Sequence, residues 1–263
     1  MQKIYPDFQI AIEAIIKSFI NCSKPMEVKN WHAQKAPDVF REQLNVYFNV
    51  QMPNLPNLVE RQILPNLEWA NMHFEERVGG LAVNPPPSHE IWPYAEKGNK
   101  EHLKEEKFSH TYPERIWPKL AGNLDILQVF YKSRINHGIR YNYGDLSDVI
   151  NLLVKDPTTR QAYLPIWFPE DTGAVENQRV PCTIGYHFII RDGYLHMTYW
   201  IRSCDLMRHF RDDIYLAWKL ADHIRNSLYR QGEVTTLGIF TMHIVNLHCF
   251  NNEFPILSKS KGL

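Results

Sequence analysis

The chain has 263 residues, 44% hydrophobic and 13% aromatic, which is enough apolar material for one sizeable core, and no low-complexity tract divides it. With 29 basic and 29 acidic residues the formal charge is zero, which excludes the broad basic surface of a nucleic-acid or anionic-membrane binder but not a small anionic ligand held by a few arginines. Cys22, Cys182, Cys204 and Cys249 form no CxxC pair and the histidines form no HExxH, so no disulfide framework and no catalytic metal are expected, and a reducing cytoplasm is the expected setting.

In chain order, the apolar residues of Asp7–Cys22 recur at helical spacing, and Asp7, Glu13 and Lys17 mark this helix as amphipathic, neither a signal peptide nor a membrane span. The spacing predicts further helices over Pro37–Val50 and Val59–Val78, the second bent or restarted at Pro65. From Gly79 to Pro118 the chain turns rich in proline, aromatics and charge, and reads as a long ordered loop region with room for one short helix. Helices are predicted again at about Asn123–Asn136 and Asp145–Lys155. The pattern then changes to strands at Gln161–Phe168, Cys182–Ile190 and Leu195–Arg202, the last two joined as a hairpin by Arg191-Asp-Gly, and all three are expected to pair antiparallel. A helix from Asp212 to Gln231 and an apolar run from Thr235 to Phe250 complete the reading. The whole is an α+β chain, residues 1–263 forming one domain with helices against a sheet and an insertion at about 79–118.

Pro181-Cys182 opens one strand of the hairpin and Arg202-Ser203-x-Asp205 closes the other, so the two ends are expected side by side. An arginine beside a cysteine favours the nucleophilic thiolate, and its forked donors can grip a phosphate. Taken alone, Cys182 reads first as a small buried apolar residue and Arg202 as a surface ion pair, and the surrounding sequence has to overturn that reading.

The ordered set Val180-Pro-Cys182, Tyr199-Trp-Ile-Arg202-Ser203-Cys-Asp205 and Phe210-Arg-Asp-Asp213 resembles the thymidylate synthase and pyrimidine hydroxymethylase family. The resemblance continues through Asn142-Tyr143-Gly144, Asp156-Pro-Thr-Thr-Arg160-Gln161 with Trp167, and Leu247-His248-Cys-Phe250, covering roughly residues 138–252. It implies the family's fold, a mixed, mostly antiparallel sheet covered by helices, with a sheet face used for dimerisation. It also implies that Cys182 attacks C6 of a pyrimidine nucleotide, making C5 a carbon nucleophile for the one-carbon unit of 5,10-methylenetetrahydrofolate. In the same carry-over Arg202 and Ser203 hold the 5′-phosphate, and Arg160 does so from the partner of a homodimer. Asp205 meets the pterin, Tyr143 lies near the C5 proton, Trp117 lies beside the folate, and His248 touches the sugar. The family's general base is a glutamate on an amino-terminal helix, for which Glu68, Glu75 and Glu76 are candidates and Glu76 is preferred. Gln161 and Phe250 depart from the family's arginine and tyrosine, which leaves ribose open as well as deoxyribose and keeps an inactive nucleotide-binding or folate-binding relative as the non-enzymatic alternative.

Asp213 stands where enzymes acting on uracil nucleotides carry asparagine. A carboxylate only accepts, which suits the 4-amino group and protonated N3 of an activated cytosine and repels uracil O4. The segment Phe210-Arg-Asp-Asp213 also resembles phage deoxycytidylate hydroxymethylase more than a thymidylate synthase, which implies modified cytosine in viral DNA as the setting. A chain ending about fifteen residues after His248, at Leu263, lacks the family's closing tail, so water is the expected quencher of the transferred carbon. The expected activity is thus 5-hydroxymethylation of a cytidine monophosphate, dCMP first. Methylation of dCMP, hydroxymethylation of CMP and thymidylate synthesis from dUMP remain the alternatives.

Overall fold

The computed structural model describes residues 3–28, 38–94, 103, 106–121, 135–136, 139–140, 144–172 and 179–259. A short strand β1 (Ile4–Tyr5) leads into helix α1 (Phe8–Cys22). The Asp7 side chain caps α1 by accepting from the Ile10 amide at 2.8 Å, and the helix buries Phe8, Ala11, Ile12, Ile15 and Phe19 along one stripe. Strands β2 (Lys24–Val28) and β3 (Asp38–Gln51) follow. The helix predicted over Pro37–Val50 is therefore a strand. Apolar residues at Phe40, Leu44 and Phe48 satisfy a four-residue helical step and a two-residue strand step equally, and Val46 and Val50, both buried, decide for the strand.

Helices α2 (Pro56–Ile63) and α3 (Leu67–Val78) split where Pro65 forbids continuation, with Leu64 left-handed at φ 55° and the Asn66 side chain capping α3 through the Trp69 amide. Among the described residues of the 79–118 region lie a 3₁₀ turn at Pro87–Glu90 and a short helix α4 (Tyr112–Ile116), and a second 3₁₀ turn, Pro118–Leu120, begins at its end. The helix predicted over Asn123–Asn136 lies mostly outside the described residues, but its last two form strand β4 (Ile135–Asn136), paired with β5 (Ile139–Arg140). Helix α5 (Leu146–Lys155) starts at a capping box built by Asp145 and Asp148.

The predicted strand at Gln161–Phe168 is realised as only three residues, β6 (Tyr163–Pro165). It pairs antiparallel with β7 (Thr183–Arg191), which pairs antiparallel with β8 (Tyr194–Asp205). The turn between β7 and β8 places Asp192 and Gly193 at φ 52° and 77°, both left-handed, as the right-handed twist of a tight hairpin requires. Helix α6 (Phe210–Arg230) buries Ile214, Ala217, Ala221, Ile224 and Leu228 on its inner stripe. The apolar run after it is strand β9 (Thr236–Phe250), parallel to β8 and antiparallel to β3, and a last helix α7 (Phe254–Lys259) ends the described chain. The main sheet runs β1-β3-β9-β8-β7-β6, with β2 on the free side of β3, and α1 and α6 pack on one face.

The opposite face carries an aromatic ribbon in which Tyr47 stacks on His243, His243 on Trp200, and Trp200 contacts His187 and Tyr163. Among the described residues nothing covers Tyr47 or Tyr163, each more than a third exposed, and no helix is long and apolar enough to cross a membrane. The architecture is α+β, as the patterning predicts.

Candidate active site

The two ends of the β7–β8 hairpin do meet: the Arg202 amide donates to the Cys182 carbonyl at 2.8 Å. A bulge between Thr183 and Gly185 turns the strand immediately after the cysteine. Glycine suits position 185, because a Cβ would sit 2.8 Å from the Leu164 backbone carbonyl as well as against the Tyr163 phenol. Arg202 spends its guanidinium on the same turn, donating to the carbonyls of Pro181 at 2.9 Å and Val180 at 3.1 Å while lying over the Trp167 ring. It thus anchors the Cys182 loop.

Cys182, Ser203 and Asp213 open into one cavity of about 190 Å³. Burial pushes the Cys182 thiol up, Asp213 adds to this, and Arg202 and Arg179 pull the other way. The effect expected of Arg202 is present but outweighed by desolvation. Asp213 is half-buried and its carboxyl is lifted to about 7, chiefly by burial, against the opposing field of Arg77. The Cys204 thiol, 3.6 Å away, donates to Asp213 Oδ2. Its neighbour Asp212 turns inward instead and accepts from the Asn66 amide at 2.7 Å, tying α6 to the start of α3. Two adjacent acids in one helical turn therefore do different work.

The opposite wall comes from α3, where Trp69, His73 and Arg77 recur at four-residue steps and share one face. His73 stacks on Trp69 at 4.7 Å. Arg77 is buried, donates to His73 Nε2 at 2.9 Å, and lies 3.9 Å over the Tyr112 ring. Because Nε2 accepts, the ring is neutral and carries its proton on Nδ1, which faces the Ser88 hydroxyl at 3.0 Å. Burial and the Arg77 charge lower the His73 pKa to about 4, consistent with that tautomer. Glu76 sits one layer behind, outside the lining, its carboxylate accepting from the Ser88 amide and hydroxyl, both at 2.6 Å. Burial pushes Glu76 up, but the hydrogen bonds from His73 and Ser88 together hold it below the usual carboxylate range. Glu68 and Glu75, the other two candidates for a base, are exposed.

Nine of the seventeen lining residues belong to the 79–118 region, so that segment is a wall of the cavity and not an appendage. Trp92 stacks on His209 with ring centres 5.4 Å apart and planes 11° apart, and its buried indole Nε1 has no partner among the described residues. Burial drives His209 and His110 down to about 3, so both are neutral. Behind Cys182 the Tyr112 hydroxyl, the Thr183 hydroxyl and the Tyr199 hydroxyl form a chain at 3.1 and 3.0 Å.

Several expected site residues lie elsewhere. Trp117 is buried in the core, its indole donating to the Arg77 carbonyl at 2.8 Å, and the tryptophan facing the cavity is Trp92. Asp205 accepts from the amides of Met207 and Arg208 and closes the turn before α6, outside the cavity lining. His248 pairs with Asp205 across the sheet, and its buried Nδ1 has no partner among the described residues. Arg160 is exposed on the single chain, away from the cavity, and Tyr143 lies outside the described residues. Among the described residues no cluster of His, Cys, Asp and Glu has the arrangement of a metal site. His73, Arg77, Tyr112 and Trp92 were missed, although the four-residue spacing of Trp69, His73 and Arg77 was visible.

A family model described as Thymidylate synthase matches residues 88–260, which includes Cys182, Ser203 and Asp213 and begins beyond α3. A protein of Methanosarcina barkeri named "Putative thymidylate synthase" is 30% identical over 163 residues, covering 56% of this chain and 71% of that protein. One of the same name from Methanosarcina acetivorans is 30% identical over 165 residues, covering 56% and 72%. The thermostable thymidylate synthase A of Bacillus subtilis superposes with a TM-score of 0.68 at 16% identity, over 96% of this chain and 83% of that one, a likeness of fold.

Proposed function

The chain belongs to the thymidylate synthase family, and from that premise we propose that it transfers a one-carbon unit from 5,10-methylenetetrahydrofolate to C5 of a cytidine monophosphate, dCMP first, leaving a hydroxymethyl group. The observation that carries the choice of base is the Asp213 carboxyl, half-buried in the same cavity as the Cys182 thiol. A carboxyl group there accepts from the 4-amino group of cytosine and exchanges one proton with N3. With its pKa at about 7 it is poised to give that proton up near neutral pH.

Cys182 is the nucleophile of this reading. Its sulfur adds to C6, Asp213 protonates N3, and the ring becomes electron-rich at C5. Ser203 faces the nucleotide's phosphate from the cavity wall, Arg202 reaches that phosphate by releasing the Pro181 and Val180 carbonyls, and Arg160, unengaged with the cavity of its own chain, serves the partner of a homodimer formed through the aromatic ribbon. The flat Trp92–His209 pair with its unfilled indole donor suits a pterin or p-aminobenzoyl ring, so the residues present fit a folate, which supplies the one-carbon unit when bound. Glu76, through Ser88 and His73, organises the wall that a base must work from. The polar lining at Ser109, His110 and Thr111 supports water as the quencher.

A second reading, methylation of dUMP, is favoured by the same carboxyl when protonated, since a neutral acid donates and accepts as an amide does. Incubation with methylenetetrahydrofolate and each of dCMP, CMP and dUMP, followed by the mass of the product, separates the readings. A cytidine nucleotide that gains both a carbon and an oxygen is the expected result. No gain on any cytidine nucleotide sinks the proposal, and Cys182→Ala abolishes the product whichever base is used.

A further inference from the structure

Arg77 lies on α3, ahead of the segment that matches the family model, and neither the addition of Cys182 to C6 nor the binding of phosphate uses it. It is nonetheless a cation buried in the wall of the cavity, 6% exposed. His73 and the Tyr112 ring clamp it, and its Nε has no partner among the described residues. Burying a guanidinium is expensive unless a negative charge repays it. His73 does not repay it, being neutral, and the ionised Glu76 reaches Arg77 only through the His73 ring, with its oxygens on Ser88. Asp213 lines the same cavity from α6, and it is the carboxylate whose charge Arg77 stabilises there.

We propose that Arg77 is a positioning residue that makes Asp213 a usable acid, holding its conjugate carboxylate so that the proton can pass to N3 of a cytosine ring as Cys182 adds. This rests on the cytosine reading. In the step, the Cys182 thiol has lost its proton to solvent, and the Sγ–C6 bond forms. The C5=C6 electron pair moves between C5 and C4, the C4=N3 pair moves onto N3, and N3 takes the Asp213 proton. Nothing is oxidised or reduced. Without Arg77 the aspartate would still pair with cytosine, but as a weaker acid that gives up its proton reluctantly.

The other charged or titratable groups facing Asp213 do not perform this task. Asp212 on the same helix and Asp205 at the end of β8 both raise its pKa, and Cys204 contributes one thiol hydrogen bond. The Cys182 thiol and the phenols of Tyr112, Tyr186 and Tyr199 are each pushed up by burial and face it as neutral groups. Arg179 and the neutral His209 share the cavity lining, and Arg179 acts on Cys182 and His209, whereas Arg77 is the cation whose charge lowers Asp213.

The test is made on the full chain labelled with ¹³C at aspartate carboxyls, with Asp213→Asn assigning the resonance, and in parallel by C5-deuterium exchange into dCMP across pH. In Arg77→Met the carboxyl midpoint is expected to rise by about one pH unit or more. The alkaline limb of exchange should move the same way while its plateau falls, and Arg77→Lys should restore both in part. Arg77→Gln, which keeps a polar side chain in the wall, serves as the second variant should the methionine form fail to fold. A midpoint unmoved in the neutral variants overturns the role of Arg77 and leaves the base reading standing. Absence of dCMP exchange by the wild-type chain overturns the cytosine reading, and this inference with it.

Discussion

Replacing Asp213 with asparagine tests the base assignment with the least disturbance of packing. The amide is nearly the same size, and its oxygen can still accept from the Cys204 thiol that now lies 3.6 Å from Oδ2. What it cannot do is release a proton to N3. Loss of a positioned acid costs roughly 10²–10⁴-fold in rate, so kcat/KM for dCMP should fall by about that factor. For dUMP above about pH 7 the change runs the other way, because the amide donates to O4 where the ionised carboxylate is repelled. Satisfying that contact is worth about 1–3 kcal/mol, or roughly 5- to 100-fold. The ratio of dCMP to dUMP use should therefore fall by on the order of 10³-fold or more, measured as competing kcat/KM with C5 exchange as the readout. A ratio that changes by less than about tenfold, or an equal loss on both bases, would refute the assignment.

Three further outcomes follow from the geometry. Asp213 holds its proton up to about 7 in the folded chain, against an ordinary value of 3.8, so its contribution to stability falls as pH rises through that window and is flat above it. Asp213→Asn should accordingly gain on the order of 2–4 kcal/mol relative to wild type between pH 4 and 8, read from urea midpoints, and a difference independent of pH would contradict the burial of the charge. Glu76→Gln should cost about 1–3 kcal/mol and depress C5 exchange, because it weakens both contacts to Ser88, whereas Glu68→Gln on the exposed side of α3 should change stability by no more than about 0.5 kcal/mol. The reverse order would move the base from the preferred Glu76 to Glu68. Trp92→Ala should raise KM for the folate with little change in Tm, while Trp117→Ala should lose about 3–5 kcal/mol from the core; a folate effect confined to Trp117 would restore the sequence-based choice.

The hairpin was the most legible part of the chain. Arg191-Asp-Gly forces one turn geometry, the alternation on both strands fixes the inner face, and together they bring Cys182 to Arg202 without further information. The α1 stripe and the break at Pro65 were equally readable, since a cap and a proline each act within a few residues. β3 was misread because its apolar residues repeat every fourth position over half its length, a spacing common to both periodicities, and β9, which pairs with most of it, lies far away in sequence. The tryptophans were misassigned for a related reason. Trp92 and Trp117 sit in similar Trp-Pro contexts, and which one faces the cavity depends on how the 79–118 chain folds over α3. Arg77 was invisible in a different way, since a cation on an amphipathic helix reads as solvated until its burial is known.

The cavity is built from two kinds of structure. Cys182, Ser203 and Asp213 belong to a strand hairpin and a helix rooted in the core, where a change of one residue disturbs many others. The facing wall, from Pro86 to Trp92 and from Phe108 to Tyr112, adds few residues to that core. Such an arrangement separates heritable chemistry from adjustable fit. Sequence drift in the outer wall can reshape what enters while the reacting atoms keep their places, so relatives with one nucleophile and different guests can arise without refolding the scaffold.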